Sequence, residues 1–225
     1  MRAGPEGAID TPDENRNSGA NSIGSAPHDT ETGRATTGDM SAWDAETAEW
    51  YARKYGEYAT NRLAVDALDL APGCTVVDVG CGTGAALRRA AAVVTEGHLI
   101  GVDPVPRMLE IARERTAAHP GGTRIEFREG AAEALPVEDA VADVVLAFDS
   151  FDHWRDPGGG LGEVRRVLRP YGRLVVVKDG SVPGGGAARR AFVEAATASG
   201  FRVIVERRIE DEGVSFTMWT CVGSA

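Results

Sequence analysis

From Thr75 onward, short apolar runs alternate with stretches in which apolar residues recur at helical spacing. Thr75–Val79 is a compact apolar run closing on glycines, which predicts a strand buried on both faces. Leu87, Ala90, Ala91 and Val94 share one face of the helix predicted to follow it. Leu99–Val102 predicts the second strand. The next helix is opened by Pro104 and Pro106, since proline's fixed φ suits a first helical turn, and it turns Met108, Ile111 and Ala112 inward. Ile125 and Phe127 alternate with Arg124, Glu126 and Arg128, as in a strand with one wet face. Val144–Phe148 predicts a fourth strand. A helix through Leu161, Val164, Val167 and Leu168 follows, which Pro170 and Gly172 are expected to end, and Leu174–Val177 predicts a fifth, fully buried strand.

The pattern changes towards the end. After a helix around Ala191–Ala198, Phe201, Val203 and Val205 alternate with polar residues, and Val214, Phe216, Met218 and Val222 do so across a turn at Glu210–Gly213. Parallel strands flanked by helices, closed by two alternating strands, predict an α/β domain. It is doubly wound and Rossmann-like, with a mixed sheet of seven strands, mostly parallel, and a C-terminal antiparallel hairpin. Before this alternation, residues 1–40 hold only isolated apolar residues such as Ile9 and Ile23. Such a stretch buries too little surface to offset its ordering entropy, so a disordered tail is expected. Ser41 is expected to cap a helix that gathers Trp43, Trp50, Tyr51, Tyr55 and Tyr58. Residues 41–225 are read as one domain carrying N-terminal lid helices, a size sufficient for its own core.

Composition narrows the partners. The formal net charge of −10 disfavours general binding to phosphate backbones, although the tail is over-rich in Asp and Glu and the rest lies closer to balance. No run approaches the ~18 apolar residues of a membrane span, and Met1–Gly19 has no apolar core of a secretory signal. Cys74, Cys81 and Cys221 are odd in number and lack metal-ligand spacing, which points to a reducing cytoplasm and to no metal site. A monomer or homodimer acting on a small molecule, away from nucleic acid and membrane, is the expectation.

The chemistry concentrates where the first strand ends, at Val76-Val77-Asp78-Val79-Gly80-Cys81-Gly82-Thr83-Gly84. Glycines there let the backbone turn sharply and approach a ligand without a Cβ between. In an open α/β sheet this is the nucleotide-binding crevice. The spacing is Gly-x-Gly-x-Gly rather than the Gly-x-Gly-x-x-Gly of dinucleotide enzymes, which argues against a nicotinamide oxidoreductase. Asp103 ends the second strand at the distance where an acidic residue accepts both ribose hydroxyls of a nucleoside. Its bland alternative is a helix cap before Pro104.

These residues resemble the class I S-adenosylmethionine (SAM)-dependent methyltransferases, especially the small-molecule and ubiquinone-type group. Val76–Gly84 is similar to their first motif, and Gly101-Val102-Asp103 with Met108-Leu109 to the second. Gly130–Pro136 looks like the adenine-binding loop, Val144–Trp154 like the fourth strand and its loop, and Leu168–Val177 like the segment through the fifth strand. The resemblance covers about residues 42–222 and implies SAM as cofactor. It implies that Asp78 and the backbone of Gly80, Cys81 and Gly82 hold the methionine moiety, and Asp103 with Pro104 the ribose. Met108 would pack on the adenine while Ala131 and Ala132 meet its edge, and Phe148 and Asp149 would lie near the sulfonium. Met108 equally suits a plain core position. Two positions depart from the family: Ala131 stands where aspartate is common, and Tyr171 where glycine is frequent.

Methyl transfer from a sulfonium has a good leaving group, so holding the acceptor in line supplies most of the acceleration. Where a proton must leave, His153 is the candidate base after the fourth strand, the alternative being a histidine that packs the loop beside Trp154. Asp149 and Asp152 either orient His153, bind a cationic acceptor, or cap the loop and face water. Tyr51, Tyr55, His153 and Trp154 are the candidate acceptor contacts. The expected activity is methyl transfer from SAM to a small molecule, probed against one rival, a non-catalytic SAM-fold partner or ligand sensor.

Overall fold

The structure, a computed structural model, describes residues 43–179 and 186–224; the expected tail at 1–40 and the expected cap Ser41 lie outside them. Helices α1 (Ala45–Tyr55) and α2 (Ala59–Asp66) lead into strand β1 (Val76–Val79). There follow α3 (Ala85–Ala90), β2 (Leu99–Asp103), α4 (Pro106–Thr116), β3 (Ile125–Glu129), β4 (Ala142–Phe148) and α5 (Pro157–Val167). The chain closes with β5 (Leu168–Asp179), α6 (Gly186–Ala198), β6 (Phe201–Asp211) and β7 (Val214–Gly223). The seven strands order as β3-β2-β1-β4-β5-β7-β6. All neighbours from β3 to β5 are parallel, and β7 runs antiparallel to both β5 and β6. The strand order reverses between β1 and β4, which opens the ligand crevice at their C-terminal ends.

The two-residue period of the central strands splits the core. Val77, Val79, Val145, Ala147, Leu174 and Val176 pack on one face under α5 and α6, meeting Leu161, Val164, Phe192 and Ala196. Val76, Val144, Leu146, Val175 and Val177 pack on the other under α2 and α3, meeting Ala64, Leu87 and Val94. Both faces are covered, so these strands read as continuous apolar runs. Strand β3 lies at the sheet's edge and keeps the half-wet pattern that its alternation predicts. No helix among the described residues is long and apolar enough to cross a membrane.

Several boundaries differ from the sequence reading. Asp44 caps α1, its carboxylate accepting the Thr47 N–H at 2.8 Å, and Tyr58 stands ahead of α2 rather than on α1. Helix α3 ends at Ala90, although Ala91 and Val94 remain buried in the turn beyond it. Leu168 already belongs to β5, and Pro170 and Gly172 sit inside that strand's span instead of ending a helix. The pairing explains this: Ala142 faces Leu168 and Val144 faces Arg173, so residues 169–172 bulge from the ladder. Within a bulge, proline's missing N–H costs nothing.

Tyr171 at the tip of that bulge is left-handed, with φ +69°, and its side chain is fully exposed at 102%. A left-handed L-residue costs roughly 1–2 kcal/mol, while glycine gives back part of that gain through its freer unfolded chain. Tyr171→Gly is therefore expected to stabilise the fold by up to about 1 kcal/mol, raising the melting temperature by about 2–4 °C. A lowered melting temperature in a thermal scan would show that the ring makes a contact worth more than the strain.

Candidate active site

The loop after β1 turns on three left-handed glycines, Gly80 (φ +75°), Gly82 (φ +51°) and Gly84 (φ +75°). Gly80 and Cys81 both donate their N–H groups to the Val102 carbonyl, at 2.8 and 3.1 Å, which ties the loop to β2. A Cβ at Gly82 would meet nothing within 4 Å, so this glycine faces open space. Directly beneath, Asp103 is 2% exposed. One carboxylate oxygen accepts the Gly82 N–H at 2.9 Å and the other the Val105 N–H at 3.0 Å. Val105, not Asp103, occupies the N-cap position of α4, so Asp103 supports both the glycine loop and the turn into the helix. Burial pushes the Asp103 carboxyl up to about 6, against the pull of those two N–H groups. Asp78 is 3% exposed and takes no hydrogen bond from a described residue. Burial first, and the Asp103 charge second, push it up to about 7. A buried carboxylate without a partner is costly, and a bound cation would relieve that cost.

The opposite wall comes from β4. Phe148 ends the strand, Asp149 follows in a left-handed conformation (φ +49°), and the buried Ser150 hydroxyl donates to the Val79 carbonyl at 2.5 Å. One Asp149 oxygen accepts the Asp179 N–H at 2.6 Å. Burial holds the Asp149 carboxyl up to about 6; the N–H bond lowers it, the Asp179 charge raises it further, and Lys178 opposes. Helix α1 lies over the opening. The resulting cavity, about 340 Å³ including its mouth, is lined by Trp43, Tyr51, Gly80, Gly82, Asp103, Val105, Met108, Phe148, Asp149 and Ser150. A second cleft of about 480 Å³, also counted with its mouth, shares Gly80 with it. Val79, Pro104, Gly130–Glu133 and His153–Arg155 line this cleft.

The structure thus gathers most of the expected residues but divides them between two spaces. Gly80, Gly82, Asp103, Met108, Phe148, Asp149 and Tyr51 share the first cavity. Pro104, Ala131, Ala132, His153 and Trp154 share the second with Gly80. His153 therefore stands on the adenine-loop side, its ring centroid 6.4 Å from that of Trp43, and does not line the cavity of Phe148 and Asp149. Tyr55 lines neither space; it packs on Tyr51 with ring centroids 5.0 Å apart. Cys81 is buried, with burial raising its thiol pKa well above the usual range, and it also lines neither. Near Ala131, Glu133 reaches the cleft, one oxygen already accepting the Asp156 N–H at 2.8 Å.

One group of contacts beside the site escaped the sequence reading. The Thr83 hydroxyl donates to the Gly56 carbonyl at 2.6 Å, and Arg88 bridges the Thr83 carbonyl at 2.5 Å and Glu57 at 2.6 Å. Arg115 joins the same Glu57 at 2.8 Å and the Ala52 carbonyl at 3.1 Å. These bonds clamp the end of α1 onto the glycine loop, which holds Tyr51 over the cavity. The available signal was Arg88, a charged residue next to the apolar face of a helix.

A family profile described as a methyltransferase domain matches residues 77–176. Relatives include an uncharacterized methyltransferase of Mycobacterium tuberculosis, 40% identical over 115 residues, covering 51% of this chain and 43% of that protein. The demethylmenaquinone methyltransferase of Thermus thermophilus is 38% identical over 118 residues, 52% of each chain. Residues 77–176 thus resemble a methyltransferase domain, and the fold around them is the one that SAM-dependent methyltransferases share. It spans about half or less of the length of the curated relatives it matches. Among solved structures, a SAM-dependent methyltransferase from Aquifex aeolicus superposes with a TM-score of 0.66 at 20% identity, covering 80% of this chain and 99% of that one. The mitomycin 7-O-methyltransferase MmcR gives 0.69 at 18%, covering 82% and 60%. The cyclase SpnF gives 0.64 at 19%, covering 74% and 80%, so likeness at this level shares a fold and not a reaction.

Proposed function

We propose that this domain moves the methyl group of SAM to a small-molecule acceptor. The observation that carries the reading is the pair of buried carboxylates, Asp78 and Asp103, beneath a glycine loop whose Gly82 leaves an open Cβ position. SAM brings an ammonium group, a sulfonium and a ribose diol, the groups that buried carboxylates with lone pairs to spare and a bare backbone receive. Asp78 and the Gly80–Gly82 backbone would hold its amino-acid end, and Asp103, which keeps lone pairs beyond its two backbone bonds, the ribose hydroxyls. Pro104, Ala131 and Ala132 would hold the adenine in the second cleft, with His153 and Trp154 closing it.

When bound, SAM supplies an activated methyl group on a good leaving sulfur. The chain's part is then to fix the acceptor in line and exclude water, which Tyr51, Phe148 and Trp43 do from the roof and wall of the first cavity. With His153 on the nucleoside side, positioning carries the rate, and no histidine base is required. Two observations support a small-molecule acceptor: the net charge of −10, which disfavours phosphate backbones, and the Thermus relative, which is named for demethylmenaquinone.

Calorimetric titration tests the reading. SAM and S-adenosylhomocysteine should bind with micromolar dissociation constants, and NAD should not bind. Binding of NAD without SAM would overturn the assignment.

A further inference from the structure

The acceptor end of the first cavity has an unusual charge balance. Asp149 directly follows β4 and Asp179 ends the adjacent β5, the two joined by the 2.6 Å bond from the Asp179 N–H. The Thr60 hydroxyl donates to Asp179 at 2.6 Å, which leaves that carboxylate anchored beside the space. The second Asp149 oxygen takes no hydrogen bond from a described residue. Tyr51 lines the same cavity, and its hydroxyl also exchanges no hydrogen bond with a described residue. Burial first, and then the charge of Asp149, hold that phenol well above the usual tyrosine range.

Nearby cations are already engaged. Lys178 pairs with Asp152, Arg88 and Arg115 pair with Glu57, and Arg107 pairs with Glu49, Glu110 and Glu114. Lys54 sits over the Trp50 and Tyr55 rings at 5.2 and 5.5 Å, outside the cavity lining. The remaining wall is aromatic: Trp43 and Tyr51 lie 5.0 Å apart with planes tilted by 56°, and Phe148 faces the same space. A carboxylate oxygen and a phenol oxygen that bond neither each other nor the protein are both served by one ligand group carrying several N–H donors. Aromatic faces favour the same kind of group when it is cationic.

We propose that the acceptor carries a cationic nitrogen, seated between the Asp149 carboxylate and the rings of Tyr51 and Trp43. The proposal rests on the methyl-transfer reading and adds to it the chemical class of the acceptor.

The experiment first saturates the protein with S-adenosylhomocysteine, then titrates three probes of one shape: phenethylamine, phenethyl alcohol and phenylpropionate. The amine should bind about tenfold or more tighter than the alcohol, as one charge-assisted hydrogen bond allows, and the carboxylate weakest. Asp149→Asn suits a left-handed position and retains an oxygen for the Asp179 N–H, so folding is preserved. In that variant the amine-to-alcohol ratio should fall towards one. The ratio is read within each protein, so any change in cofactor affinity cancels. Equal binding of amine and alcohol in the parent protein, binding of none in the millimolar range, or an unchanged ratio in Asp149→Asn would each overturn the proposal. Absence of S-adenosylhomocysteine binding in the first step would instead overturn the methyl-transfer reading beneath it.

Discussion

Asp103→Ala is expected to weaken SAM binding by about ten- to a hundredfold, the equivalent of the roughly 1.5–3 kcal/mol of a charge-assisted hydrogen bond. Two effects act together. The ribose loses its acceptor, and the Gly82 and Val105 N–H groups lose theirs, which frees the loop that presents the backbone to the cofactor. Asp103→Asn removes the charge and one of the two acceptor oxygens but retains the other for one N–H, so it should fall between the parent and the alanine variant. The protein itself tolerates the change, because the buried carboxylate is held at about 6 and is a burden on the empty fold above that pH. Calorimetry gives the affinity, and thermal unfolding without cofactor shows whether the fold is intact. A folded variant with undiminished SAM affinity would reduce Asp103 to a support for the turn into α4.

The parts of this site that the sequence made legible are local ones. The glycine loop and Asp103 lie at fixed offsets from the strand ends, where sheet topology dictates the crevice, so spacing alone located them. Parallel strands covered on both faces announce themselves as apolar runs, and β6 and β7 announce themselves by alternation. What spacing could not show is how distant segments meet. Thr83 reaches Gly56 across 27 residues and Arg88 reaches Glu57 across 31, with no periodicity linking the partners. His153 follows β4 closely in sequence, yet a short 3₁₀ turn at Phe151–His153 carries it to the adenine-loop side. Likewise, Pro170 and Gly172 signal a break in regular structure, but only the β4 register shows it to be a bulge within β5.

SAM affinity is expected to fall as the pH is lowered from about 7.5 to about 5, by up to about tenfold per unit for each proton taken up. Asp78 is held at about 7 and Asp103 and Asp149 at about 6, all above the ordinary carboxylate value of 3.8. The other groups at this site are Cys81, Tyr51, Asp179 and Lys178; the two with raised acids, Cys81 and Tyr51, stay neutral throughout this window. A cationic ligand needs the carboxylates ionised, so binding to the partly protonated site must release protons. Titrations in two buffers of different ionisation heat would count them, and Asp78→Asn should flatten the upper part of the profile. The stability of the cofactor-free protein moves the opposite way. The folded state holds these protons more tightly than the unfolded chain between about pH 4 and 7, so their contribution is largest at the acid end and is lost as the pH rises through the raised values. Lowering the pH from about 7.5 to about 6 should therefore raise the cofactor-free melting temperature while SAM binding weakens. General acid damage to the fold would lower both together. Constant affinity across this window, or affinity that grows on acidification, would remove the buried carboxylates from cofactor binding.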